Sequence, residues 1–149
     1  MDTFFKLLNA FPMPLWLLMM FAPRWVVTQR LSRSSIVFGL AACHYLAALG
    51  LAARAGQREG GGLDFTSLEG IRRGLSTPQG TLAAWSHMLA LDLFTGAWIY
   101  RRAMQLDAPA WVRIPALAFT LMTGPFGLLL FLLWRGLATR QGEALAAEN

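Results

Sequence analysis

The chain has 149 residues, of which 56% are hydrophobic and 14% charged, whereas a soluble domain carries about a quarter charged residues. The net charge of +5 comes from twelve arginines and one lysine against eight acidic residues. The arginines cluster at the ends of apolar blocks, where long side chains reach lipid headgroups, so no nucleic-acid partner is expected.

The apolar residues fall in blocks of about 18–22, the length that crosses a hydrocarbon core of roughly 30 Å as a helix. The first block spans about 4–22 and contains Pro12 and Pro14, which predict a kink. It is too long for a typical signal h-region, and "FAPRW" is not a clean cleavage site, so it is read as a retained membrane helix. Trp25 follows as an interfacial anchor. The second block, 35–53, carries Gly39, Cys43, Ala47 and Gly50 on one stripe, which predicts close approach of another helix there. His44 and Tyr45 lie beside that stripe. Cys43 is the only cysteine, so no internal disulfide can form.

The one long connection, 54–81, opens with "AGQREGGG", a flexible stretch. In "DFTSLEGIRRGLSTP", Phe65, Leu68, Ile71 and Leu75 recur at helical spacing. They predict a short amphipathic helix over 65–75, lying on the membrane surface. Thr66 and Glu69 form a capping-box signature, and Pro78 stops the pattern. The third block, 82–100, includes His87 and Asp92. The fourth, 112–134, includes "TLMTGPFGLLL", where Thr120, Thr123, Gly124 and Gly127 share a face and Pro125 invites a kink. The tail "ATRQGEALAAEN" is polar and expected to fray. The fold class expected is all-α: a membrane-embedded bundle of four transmembrane helices plus an interfacial helix, one domain over 1–149. Loops one and three carry six of the thirteen Lys/Arg and the other side seven; because short loops count most in the positive-inside rule, the expectation leans towards loops one and three in the cytoplasm.

A carboxylate inside an apolar block needs a reason, because an ionised side chain near a bilayer centre costs about 2.5–3.5 kcal/mol on insertion scales. Asp92 is expected to face the bundle interior, within hydrogen-bonding reach of His44, Tyr45, Thr120 or Thr123. Its two readings are a carboxylate that fixes the bundle through a donor on another helix, and a general acid. At 100° per residue Trp85 points the same way as Asp92, with Met88, Thr95 and Gly96 alongside, while His87 lies about 140° around the helix. A joint site of His87 and Asp92 therefore needs a second helix between them. His44 and His87 could in principle be axial haem ligands, but they differ in depth by about five residues, near 7 Å. No haem, metal or other cofactor is expected, since no close His/Cys/Asp/Glu cluster exists.

The run "SLEGIRRGLSTPQGTLAAWSHMLALDLFTGAWI", followed by "GPFGLLLFLLWR", resembles the ABA4-like family of small membrane proteins. The resemblance extends to "NAFPMPLWLLMMFAPRW" near the start. Its densest part is W-x-H-x-L-x-x-D-L-F-x-G, on Trp85, His87, Leu89, Asp92, Leu93, Phe94 and Gly96. A G-P-x-G-L turn falls on Gly124, Pro125, Gly127 and Leu128. Family members often have an acidic residue shortly after the "WI" pair, where this chain has Tyr100, Arg101 and Arg102. The best-known members are plant plastid proteins required to make neoxanthin from violaxanthin. That resemblance implies an epoxide-opening isomerisation with no redox cofactor. Asp92 would protonate the epoxide oxygen and His87 would remove a proton; Trp85, His44, Thr120, Thr123 and Gly124 are candidate ligand contacts. No plastid transit peptide is recognisable, and the Ala/Leu/Arg/Gly-rich usage points to a bacterial inner membrane, cytoplasmic or intracytoplasmic, and away from neoxanthin itself. Two classes of function stay open: an enzyme on a carotenoid or other isoprenoid, and a non-catalytic accessory subunit. The subunit would pack against a larger membrane complex or a second copy and bind pigment or lipid.

Overall fold

The computed structural model describes the backbone of residues 2–58 and 64–147, and the side chains of that set other than 57, 58 and 139–147. Among the described residues the chain is all-helical, with α1 (Asp2–Ala10), α2 (Met13–Phe21), α3 (Val26–Leu31), α4 (Ser35–Arg58), α5 (Leu68–Leu75), α6 (Pro78–Gln105), α7 (Ala110–Thr123) and α8 (Pro125–Ala147). Prolines set several of these boundaries. Pro12 lies in the turn that separates α1 from α2, because its ring nitrogen cannot continue the helical ladder. Pro78 and Pro125 open α6 and α8, the position where a missing N–H costs nothing. The helix of block two runs on through Arg58, beyond the expected end, while the glycines of "EGGG" lie outside the described residues. The tail expected to fray is instead helical to Ala147. Its Ala, Leu, Glu, Gln and Arg are good helix formers; Glu148 and Asn149 lie outside the described residues.

Length and hydropathy mark two stretches as able to cross a membrane, Asp2–Phe21 and Ser35–Gly56, with mean hydropathy 1.5 and 1.9. Among the described residues, blocks three and four do not meet that measure. Block three loses hydropathy to Trp85, Ser86, His87, Asp92 and Trp98, and block four is cut at Gly124 into shorter apolar helices.

The chain divides into two compact units, Met1–Met13 with Ser34–Leu91, and Pro14–Arg33 with Asp92–Asn149. In unit one, Leu8 of α1, Ala48 and Ala52 of α4, and Leu82 and Ala83 of α6 form the core, with Phe4 and Leu89 against it. Alanines at these positions let the helix backbones approach. The inward face of α4 therefore carries Ala41, Ala48 and Ala52, not the predicted stripe. Gly39, Cys43, Ala47 and Gly50 are all exposed, and a β-carbon at Gly39 or Gly50 would meet no atom within 4 Å.

In unit two, Trp16 and Met19 of α2, Leu93, Ala97, Ile99 and Tyr100 of α6, Leu117 and Thr120 of α7 and Phe131 of α8 are all essentially buried. The Trp16 indole occupies the place where Gly96 has no side chain; any β-carbon there would overlap the ring. Trp98 meets Phe131 edge-on at 5.9 Å, a favoured aromatic geometry. The α7–α8 turn is made at Gly124, whose φ of +58° suits a residue without a β-carbon.

Candidate functional site

A cavity of about 320 Å³ lies within unit one. Its walls are Tyr45 and Leu49 of α4, Ile71 and Leu75 of α5, and Ala84 and His87 of α6. Each helix contributes for a local reason. Leu49 and Ala52 follow Tyr45 by one and two turns on α4. Ala84 and His87 are three apart, one turn of α6. Gly70 and Gly74 of α5 and Gly80 of α6 also line it, and a β-carbon at Gly80 would overlap the Gly74 carbonyl. The walls are overwhelmingly apolar, and the Tyr45 and His87 rings lie 5.0 Å apart at 56°. The arrangement offers an oily hollow with an imidazole, a phenol and the Asp64 carboxylate at its wall; the imidazole and the phenol can donate to or accept from an oxygen.

The α5 wall is anchored by a compact hydrogen-bond network. The Asp64 carboxylate accepts from the Thr66 backbone N–H at 2.9 Å and from the Thr66 and Ser67 hydroxyls, both at 2.7 Å. The Ser67 hydroxyl in turn accepts from the Gly70 N–H at 3.0 Å, satisfying one of the free donors of the first helical turn. The Ser67 hydroxyl, followed by that of Thr66, lowers the Asp64 pKa to about 2. The predicted cap, Thr66 with Glu69, is thus displaced by one residue. Thr66 is taken up by Asp64, and Glu69 turns forward to Arg72 at 2.9 Å, a pairing that lowers the Glu69 pKa.

The sequence-predicted residues are distributed over both units. His87 lines the cavity of unit one. Trp85 does not; its indole N–H donates to Asn9 Oδ1 at 3.0 Å and its ring lies 6.4 Å from that of Phe5. His44 packs against Phe11, ring centroids 5.2 Å apart, and its buried Nδ1 has no hydrogen-bond partner among the described residues. Asp92 belongs to unit two and is not among the residues lining the cavity. Its carboxylate lies against Gly124: a β-carbon on that glycine would be 2.7 Å from Asp92 Oδ1. Thr120 and Thr123 do not serve it, because their hydroxyls donate to Ala116 and Phe119 carbonyls of their own helix at 2.7 and 2.8 Å. The hydrogen bond expected for Asp92 from those threonines is therefore replaced by a packing contact. Among the described residues no three His, Cys, Asp or Glu side chains gather to hold a metal ion.

Sequence reasoning set Tyr45 beside the small-residue stripe and offered it as a partner for Asp92; the structure places it against His87 instead. That reasoning also missed a polar layer in unit two. There the Tyr100 hydroxyl donates to the Pro23 carbonyl, Arg101 to the Ser32 carbonyl, and Arg113 to the Met20 carbonyl. The available signal was Arg113 standing inside an apolar block, the same anomaly that drew attention to Asp92.

With that geometry in hand, the chain matches a family model described as "ABA4-like: ABA DEFICIENT 4-like" over residues 3–131. The chain belongs to the ABA4-like family. No curated protein and no solved structure matches it. The ABA4-like match takes in every wall of the unit-one cavity, and also both Asp92 and Gly124. The aspartate of the W-x-H-x-L-x-x-D motif and the first glycine of the G-P-x-G-L turn are therefore in contact in this ABA4-like chain.

Proposed function

We propose that this ABA4-like chain is an integral membrane protein that holds one end of a carotenoid or other isoprenoid in the cavity between α4, α5 and α6. The observation that carries the proposal is the cavity itself, mostly apolar, with His87 and Tyr45 standing together at its wall and the Asp64 carboxylate at the α5 side. At about 320 Å³ it is at the small end of ligand pockets, about 300–1,000 Å³. An end ring fits and the rest of a long polyene stays among the acyl chains. His87 and Tyr45 then face the oxygen function of a ring. They are the acid and base that an epoxide-opening isomerisation requires, the chemistry drawn from the family by analogy. Asp92 keeps a structural role.

Blocks three and four complete a four-span, single-domain arrangement in a bacterial inner membrane, with α5 at its surface. Support comes from the outer face of the chain. Only 17% of the Ser35–Gly56 window is buried within the protein, so its apolar side chains require another apolar medium. Phe65 and Leu68 are 70% and 84% exposed, beside Arg72 and Arg73, which can reach headgroups. Thiol labelling of Asp2→Cys and Ala147→Cys in a Cys43→Ser background checks the topology; both positions react from the same side, and opposite sides refute four spans.

Binding is tested with the purified full chain and a panel of carotenoids, monitored by the shift of the polyene absorption. Ala84→Phe fills the cavity and abolishes binding, while Tyr45→Phe retains it and loses any conversion of an epoxidised ligand. Binding that is unchanged by Ala84→Phe refutes the cavity as the site. The second reading, an accessory subunit of a larger complex or a homo-oligomer, is favoured by the uncovered small-residue stripe of α4. It requires Gly39→Leu and Gly50→Leu to break an assembly without touching ligand binding.

A further inference from the structure

Unit two contains a second hollow, of about 260 Å³, whose chemistry differs from that of the first. Gln29, Ser32 and Arg33, from α3 and the turn after it, form one side, and Tyr100, Arg101 and Gln105 of α6 form the other. No carboxylate lines it. Arg101 is half-buried and fixed in direction by donating to the Ser32 carbonyl, which leaves its other N–H groups available. Arg33 makes no ion pair and no side-chain hydrogen bond among the described residues, and its charge acts unfavourably on that of Arg101. The Gln105 carboxamide accepts from Arg102 at 3.0 Å through its oxygen, so its NH₂ group remains free to donate. Two unneutralised guanidiniums and an amide donor converge on one hollow.

Holding two like charges together is unfavourable unless an anion sits between them. Guanidiniums pair with phosphate through two parallel N–H···O bonds, a geometry that a single ammonium cannot reproduce. The hollow also lies where the apolar run of α6 gives way to Tyr100, Arg101 and Arg102, the level at which arginines meet headgroups. We propose that this arginine-lined hollow in unit two is a binding site for a phosphate group, carried by an anionic membrane phospholipid or free in solution. It is independent of the isoprenoid cavity in unit one.

The test uses the purified full chain in a phosphate-free detergent buffer. Native mass spectrometry follows adducts of dioleoylphosphatidylglycerol, with dioleoylglycerol as the phosphate-free control, and ³¹P NMR follows inorganic phosphate. Arg33→Gln is the chosen variant, because Arg33 is exposed and fixes nothing in the fold; an unchanged unfolding temperature verifies that. Phosphatidylglycerol is retained over dioleoylglycerol, and its affinity falls about tenfold in Arg33→Gln, or ~1.4 kcal/mol, and far less in Arg33→Lys. Inorganic phosphate that binds alone at millimolar concentration, displaces the lipid and shows the same Arg33 dependence identifies free phosphate as the source. Failure to compete identifies the lipid. Binding of neither, or binding indifferent to Arg33→Gln, overturns the proposal.

Discussion

The carboxylate of Asp92 rests against the α-carbon of Gly124, close enough that a β-carbon on the glycine would lie 2.7 Å from Oδ1. Asp92 is on α6 and Gly124 ends α7, with φ of +58°. The contact therefore joins the middle of one helix to the turn that reverses the chain into α8. Either demand alone favours glycine: a left-handed conformation disfavours a side chain, and the carboxylate occupies the space one would need. A half-buried acidic residue in an apolar block invites a catalytic reading; the contact seen here is with the turn of the α7–α8 hairpin.

Gly124→Ala consequently destabilises the protein by about 1–3 kcal/mol, part from the strained backbone and part from the carboxylate. The two parts separate in a double-mutant cycle. In an Asp92→Ala background, Gly124→Ala costs less than alone, and what remains is the backbone contribution. Equilibrium unfolding in detergent reads all four corners; strict additivity refutes the contact.

Gly96 is the second position where a single methyl has a large effect. The Trp16 indole, 1% exposed, lies where that methyl would go. Overpacking of this kind costs about 1–3 kcal/mol, and Trp16→Leu in the same chain recovers part of it. An alanine at 96 with unchanged stability means that the indole moves freely, contrary to its burial.

Proline breaks were legible because their cause is local. Pro12 and Pro125 cannot donate, and helices part at both, although Pro115 lies within α7 without ending it. The amphipathic α5 was legible from Leu68, Ile71 and Leu75, but it begins at Leu68, and Phe65, counted in the expected helix over 65–75, lies before it. Its cap was misplaced by one residue because Asp64 competes for the Thr66 hydroxyl, a matter of three-dimensional geometry. Block two shows a deeper limit. Helical periodicity picked out one small-residue face, through Gly39, Cys43, Ala47 and Gly50, whereas the buried face carries Ala41, Ala48 and Ala52. Nothing in the period says which face meets α6. The pairing of Asp92 with Gly124, and of His87 with Tyr45, depends likewise on which helices meet. Both residues of each pair were noticed, but not the pairs.

The Asp64 network makes the α5 cap sensitive to acid. Its pKa falls from 3.8 to about 2 in the folded protein, so the carboxylate contributes stability above about pH 4, and that contribution is lost as pH falls towards 2. Amide exchange at Gly70 reports it directly, because that N–H is held by Ser67. Protection of Gly70 declines between about pH 4 and 2 beyond the intrinsic pH dependence of exchange, and Asp64→Asn removes the extra decline. A pH profile that is the same in wild type and Asp64→Asn refutes the coupling.

The last prediction separates a structural tryptophan from a ligand contact. Trp85 stands in the family motif two residues before His87, and would ordinarily be assigned to the same site. Its indole N–H instead donates to Asn9, whose own amide donates to the Phe5 carbonyl at 2.8 Å. Its ring covers Phe5, and it is absent from the cavity that His87 lines. Trp85 thus ties α6 to α1. Asn9→Ala removes the acceptor and costs about 0.5–1.5 kcal/mol, the usual net value of one hydrogen bond. Trp85→Phe keeps most of the ring contact and loses the same bond, so the two substitutions together cost less than their sum. Carotenoid affinity stays unchanged in both, whereas the cavity variant Ala84→Phe loses it. If Trp85→Phe weakens ligand binding as much as Ala84→Phe does, the ligand reaches the outer face of α6, and the motif tryptophan is part of the site.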